Sequence, residues 1–115
     1  MPVIKVWCLP KSKEKKLNKL HKAIVDSVLS CSELNLKDEK DMTVLFPTDM
    51  MKYGLGTVII VEVSLFKKQE RTITVLQKLA KALGESVYQL FPDAKVECSI
   101  ESTDPKKEGF WTSVS

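Results

Sequence analysis

Thr48-Asp49-Met50-Met51-Lys52-Tyr53-Gly54-Leu55 and, near the other end of the chain, Thr103-Asp104-Pro105-Lys106-Lys107-Glu108-Gly109-Phe110 keep Thr, Asp, Lys and Gly at the same relative positions. Each segment closes on an apolar residue. A shift of 55 or 56 residues also lays Leu9 on Leu65, Lys11 on Lys67, Glu14 on Glu70, Leu17 on Ile73, Leu20 on Leu76 and Met42 on Cys98. The chain is an internal repeat, and the residues ahead of each loop read as strand, helix, strand.

In the first copy Val3 to Leu9 is a strand of β-favouring residues, ended by Pro10 and Lys11. Ser12 is placed to cap a helix running to about Ser30, with Leu17, Leu20, Ile24, Val28 and Cys31 on one stripe at helical spacing. Lys15, Lys19, Lys22 and Asp26 fall on the opposite, solvated face, and His21 borders the stripe in a structural or surface position. A polar connection, Ser32 to Asp41, pinned by Leu34 and Leu36, leads to a strand over Met42 to Pro47. Strand-helix-strand units of this length pair their strands in parallel with a right-handed crossover.

In the second copy Thr57 to Phe66 is apolar on both faces apart from Glu62 and Ser64, which marks a central strand. A helix follows from Gln69 to about Leu90, its buried stripe read as Ile73, Leu76, Ala80, Leu83, Val87 and Leu90. Gly84 weakens it by about 1 kcal/mol relative to Ala, and Pro92 stops it. Lys95 to Glu101 alternates as a half-exposed strand. The expected fold is α+β: a single domain of two tandem βαβ repeats, 2–56 and 57–115, forming a four-stranded mixed sheet with two helices on one face. The other face then needs cover, and self-association is the expected source.

Composition narrows the function classes. The 115 residues are 43% hydrophobic and 29% charged, as in a soluble globular chain. No apolar run reaches membrane-spanning length, and the first residues lack a signal-peptide pattern, so a cytoplasmic protein is expected. Cys8, Cys31 and Cys98 have no paired spacing, which predicts small buried thiols rather than a disulfide framework or a zinc site. The net charge of +3 rests on lysines, with Arg71 the one arginine. Nucleic-acid readers favour arginine forks, so no nucleic-acid partner is expected.

Pro2 stands at the tip of the first strand, where the missing N–H is tolerated. With Met1 trimmed it becomes a secondary amine on a rigid ring. A free α-amino group titrates at roughly 7.7–8.0, and desolvation or nearby cations lower that value towards the range that suits general acid and base work. Proline is also a common residue, and at a strand tip it has structural roles of its own.

A chain of two βαβ repeats beginning Met-Pro resembles the tautomerase superfamily. Its Thr48-Asp49-Met50-Met51-Lys52 and Tyr53-Gly54-Leu55-Gly56 segments are similar to the Thr-Glu-Met-Ala-Lys and Phe-Gly-Ile-Gly segments of 4-oxalocrotonate tautomerase (4-OT). The doubled length and the Gly109-Phe110-Trp111 ending resemble macrophage migration inhibitory factor and related trimeric tautomerases, and Val61-Glu62-Val63 through Phe66 to Thr72 looks closest to a small bacterial branch of unsettled activity. The resemblance implies a homotrimer, Pro2 as catalytic base, Lys11 where the family places a substrate-binding arginine, and Tyr53 as an apolar wall beside the proline. Phe110 and Trp111 become substrate, packing or subunit contacts. The family's other arginine falls at Thr43 or Val44, and Lys67 or Lys68 is the available replacement, without arginine's bidentate fork. The expected activity is keto-enol tautomerisation of a small carboxylated acid, with no metal or organic cofactor implied; decarboxylation, hydration and dehalogenation are further chemistries the family allows. The alternative is a non-catalytic binding or assembly protein with the same fold.

Overall fold

The computed structural model describes residues 2–48 and 58–113. Strand β1 (Val3–Trp7) leads to helix α1 (Glu14–Ser30), two 3-10 turns at Ser32–Leu34 and Glu39–Asp41, and strand β2 (Thr43–Leu45). Strand β3 (Val58–Phe66), helix α2 (Ile73–Leu90), strand β4 (Lys95–Thr103) and a short helix α3 (Pro105–Glu108) complete the chain. The sheet order is β2-β1-β3-β4. Within each repeat the strands are parallel, with Ile4 opposite Val44 and Val63 opposite Ile100. The repeats meet antiparallel at the centre, where Lys5 lies opposite Glu62. This is the expected α+β sheet.

Alternation explains which face the helices cover. Ile4 and Val6 from β1 and Ile59, Val61, Val63 and Leu65 from β3 are buried against Leu20, Ile24 and Val28 of α1 and Leu79, Leu83 and Val87 of α2. Leu34 is buried and Leu36 packs against the same core, so both pin the connection as expected. That connection is tightened by a capping box between Asp38 and Asp41, in which each carboxylate accepts from the other's N–H, the Asp38 N–H reaching Asp41 at 3.4 Å; Asp38 also accepts from Lys40 N–H at 2.8 Å and Asp41 from Lys37 N–H at 2.7 Å. The Lys37 and Asp38 N–H donors hold the Asp41 carboxyl below its ordinary range.

Several expected boundaries move. Strand β1 stops at Trp7 because Cys8 turns into the left-handed region at φ 67°. Ser12 does not cap α1: its hydroxyl donates to the Pro10 carbonyl at 2.9 Å, and Lys13 takes the cap position without a side-chain bond. Strand β2 is shorter than Met42 to Pro47 and β4 longer than Lys95 to Glu101. Helix α2 begins at Ile73 rather than Gln69, capped by the Thr72 hydroxyl accepting from Val75 N–H.

The repeat register is also corrected. Ser27 and Ser86, 59 residues apart, hydrogen-bond across the helix pair. The same spacing relates Leu20 to Leu79, Ile24 to Leu83, Val28 to Val87, the cap residues Lys13 and Thr72, and the strand ends Trp7 and Phe66. Leu20 therefore corresponds to Leu79 and not to Leu76, and Lys11 does not correspond to Lys67. The stripe of α2 turns accordingly: Val75, Leu79, Leu83 and Val87 are buried, Leu76, Ala80 and Leu90 only partly so, and Ile73 is 75% exposed. Three residues of slip rotate a helix by only about 60°, so a stripe slipped by three still looks like a stripe.

Gly84 meets only the Cys98 side chain, with an added Cβ at 3.9 Å, an ordinary contact. Gly84→Ala should raise unfolding free energy by up to about 1 kcal/mol through helix propensity. Chemical denaturation checks it, and a fall in the midpoint would show that α2 and β4 need the missing methyl.

The uncovered face departs from expectation. Ile60 and Leu45 are exposed on it, but so are Lys5, Glu62, Ser64, Glu97, Ser99 and Glu101. The Trp7 indole N–H donates to a Glu62 carboxylate oxygen across β1 and β3. This face is mixed, not apolar throughout.

Candidate functional site

Because β1 and β3 are antiparallel, the start of β1 and the end of β3 share one end of the sheet. Pro2 lies there, buried at the tip of β1, with its carbonyl accepting from Thr43 N–H at 2.9 Å. Thr43, one of two positions where the resemblance puts a second arginine, thus sits beside the proline and brings no charge.

Lys67 and Lys68 follow β3 at the same end and are exposed. Lys67 N–H donates to the Thr103 carbonyl at 2.7 Å, which carries the β3–β4 ladder one residue further. The C-terminal segment returns to this end after α3, whose cap Asp104 accepts from Lys106 N–H. The Phe110 ring meets Phe66 edge to face, with centroids 4.8 Å apart at 78°. Trp111 is 83% exposed beside it. Among the sequence candidates, Pro2, Lys67, Lys68 and Phe110 are therefore gathered at one end.

Lys11 is not with them. It follows the opposite end of β1, beside a small cavity bounded by Leu9, Pro10, Ser12, Leu17, Phe46 and Pro47. One copy of the chain does not bring Lys11 to Pro2. Tyr53 lies outside the described residues.

Arg71 is the residue that sequence reading left out. It is 8% exposed, the one buried charged residue among those described. One end of its guanidinium donates to the Phe66 carbonyl at 2.9 Å and the other to the Leu34 carbonyl at 3.4 Å, while Nε has no partner. Burial lowers its pKa, and the charge of Glu70 acts in the opposite sense. Its signal was visible: the chain's one arginine, directly before the Thr72 helix cap and behind two lysines. Arg71, Lys67, Lys68, Ile73, Leu76 and Ser102 border a cavity of about 370 Å³.

Of the three thiols Cys31 is buried and Cys8 and Cys98 only partly so, and Cys31 and Cys98 are poor nucleophiles. Burial pushes Cys98 up to about 11 and raises Cys31 as well, so both stay protonated near neutrality. Among the described residues no group of three His, Cys, Asp or Glu side chains is placed to hold a metal ion, and no helix is long and apolar enough to cross a membrane.

No family model matches the chain, and no curated protein matches it. Solved structures do. A native fused 4-OT superposes with a TM-score of 0.70 at 12% identity, covering 98% of this chain and 94% of that one. A malonate semialdehyde decarboxylase, studied as wild type, proline-to-alanine mutant and inactivated forms for its decarboxylase and hydratase activities, gives 0.66 at 10%, covering 96% and 92%. A domain of unknown function from Sebaldella termitidis gives 0.69 at 14%, covering 100% and 98%. Further fused 4-OT structures, at TM-scores from 0.57 to 0.64, are described as trimers. At these identities the likeness is one of fold: the chain shares the fold of the fused 4-OT and malonate semialdehyde decarboxylase structures.

Proposed function

We propose that this protein is a tautomerase-like enzyme in which Pro2, freed by removal of Met1, moves a proton between carbon and oxygen of a small carboxylated keto or enol acid. The observation that carries the reading is the convergence of Pro2, Lys67, Lys68 and Phe110 on one end of the sheet. In this reading the secondary amine at the end of a buried strand accepts the proton, the lysines at the same end of the sheet hold the carboxylate and favour the neutral amine, and the phenyl ring supplies an apolar surface there. The proline-to-alanine mutant among the malonate semialdehyde decarboxylase structures fits a working role for such a residue in that protein.

Assembly is part of the reading. The open sheet face and the trimeric fused 4-OT structures support a homotrimer with sheets inward and helices outward. A neighbouring copy is then the only source of a Lys11 near Pro2. Sedimentation showing a monomer at micromolar concentration would defeat it.

Replacing Lys67 or Lys68 with Ala should lower kcat/KM for an acidic substrate by about 1–3 kcal/mol per charge-assisted bond lost. Lys15, Lys19 and Lys22, exposed on α1, serve as controls. Equal and negligible effects at all five positions count against the carboxylate-holding role.

A second reading, a non-catalytic binding or assembly protein, draws on one observation: Thr43 stands beside Pro2 where a cation would complete the grip. A Met1-free protein that forms the trimer but turns over no enol acid supports it.

A further inference from the structure

The cavity at the start of α2 has a charge balance that goes beyond holding one carboxylate. The segment from Lys67 to Arg71 carries three cations and one carboxylate, Glu70, for a net of two positive charges. Lys67, Lys68 and Arg71 all border the cavity, whereas Glu70 does not. Arg71 is nine-tenths buried; its terminal nitrogens donate to the Phe66 and Leu34 carbonyls, Nε has no acceptor, and no carboxylate is in ion-pair range among the described residues, so its charge has no counter-charge in contact. A buried cation left this way is costly unless a counter-anion completes it. The helix itself adds to the field, since the first turn of the 18-residue α2 has no acidic residue to offset its positive end. The rest of the lining is apolar or neutral: Gln69, Ile73, exposed at 75%, Leu76 and Ser102.

We propose that this cavity binds a small ligand with a doubly charged oxyanion head, of the phosphate-monoester kind, and a short apolar body. The head sits over Lys67, Lys68 and the floor made by Arg71, and the body rests on Ile73 and Leu76. This rests on the reading of Lys67 and Lys68 as anion-holding residues, but it needs neither Pro2 chemistry nor removal of Met1. A singly charged carboxylate offsets less of the field of these three cations than a dianion does.

The experiment uses the full chain with inorganic phosphate as probe, against acetate and chloride at matched ionic strength, read by calorimetry and by thermal unfolding. Phosphate is expected to bind and raise the melting temperature, acetate to bind at least about tenfold more weakly. A Lys67→Ala, Lys68→Ala double variant, exposed at both positions and so expected to fold, should lose about a hundredfold in phosphate affinity. A Lys15→Ala, Lys19→Ala variant should lose none. Equal binding of acetate and phosphate overturns the dianion preference. A phosphate effect that survives in the Lys67, Lys68 variant, or matches chloride, overturns the site. Enol-acid turnover measured on the same wild-type sample reports on Pro2 separately, so failure of phosphate binding and failure of proline chemistry are told apart.

Discussion

Pro2→Ala in protein lacking Met1 is expected to cut tautomerase turnover by about 10²–10⁴-fold, the span associated with loss of a positioned general base. The variant keeps an amine at the chain start, so the loss measures the ring's contribution: a fixed nitrogen on a buried strand tip instead of a primary amine with rotational freedom. Thr43 N–H would still find the residue 2 carbonyl, because that bond uses the main chain. The fold should therefore survive, and circular dichroism with a thermal melt separates lost chemistry from lost structure. Activity of the parent should rise with pH as the amine deprotonates, since only the neutral form accepts a proton. Retention of more than half the parent rate in the variant would remove Pro2 from the chemistry.

Leu83→Ala is expected to destabilise the protein by about 2–5 kcal/mol, because Leu83 is fully buried against the sheet and truncation leaves a cavity. Ile73→Ala should change stability by no more than about 0.5 kcal/mol, because three quarters of that side chain is already in water. The pair tests the register of α2. If the buried stripe of α2 ran as the sequence suggests, with Ile73 on it, both truncations would cost energy. Urea denaturation of the two variants decides, and comparable losses at both positions would restore the sequence register.

The strands were legible from their runs of β-favouring residues, although the reading of β3 as apolar on both faces left its buried side open; the structure buries Ile59, Val61, Val63 and Leu65 and exposes the side that carries Glu62 and Ser64. The parallel pairing within each repeat followed from connection length. Helix register was harder to read, because leucine-rich helices tolerate a slip of three residues with a rotation smaller than the width of their own apolar stripe. The cap that would have fixed the start of α2 is Thr72, whereas Gln69 merely opens a polar run. Ser12 failed as a cap because its hydroxyl finds the nearer Pro10 carbonyl.

The candidate site was half legible. Pro2 drew attention by its position and Lys67 and Lys68 through the resemblance, as replacements for an arginine, and antiparallel pairing of β1 with β3 is what brings the three to one end. Lys11 follows the far end of β1 from Pro2, so within one copy the length of that strand separates them. Arg71 was overlooked because its role depends on the Leu34 carbonyl, 37 residues away. No local pattern announces such a contact.

The most direct test is turnover of phenylenolpyruvate by two forms of the wild-type chain, one with Met1 removed and one with Met1 retained, each verified by intact mass. An amide nitrogen accepts no proton usefully, so the trimmed form should ketonise the enol and the untrimmed form should not. Equal rates from the two forms, or no rate from the trimmed form across a panel of enol acids, would contradict Pro2 catalysis.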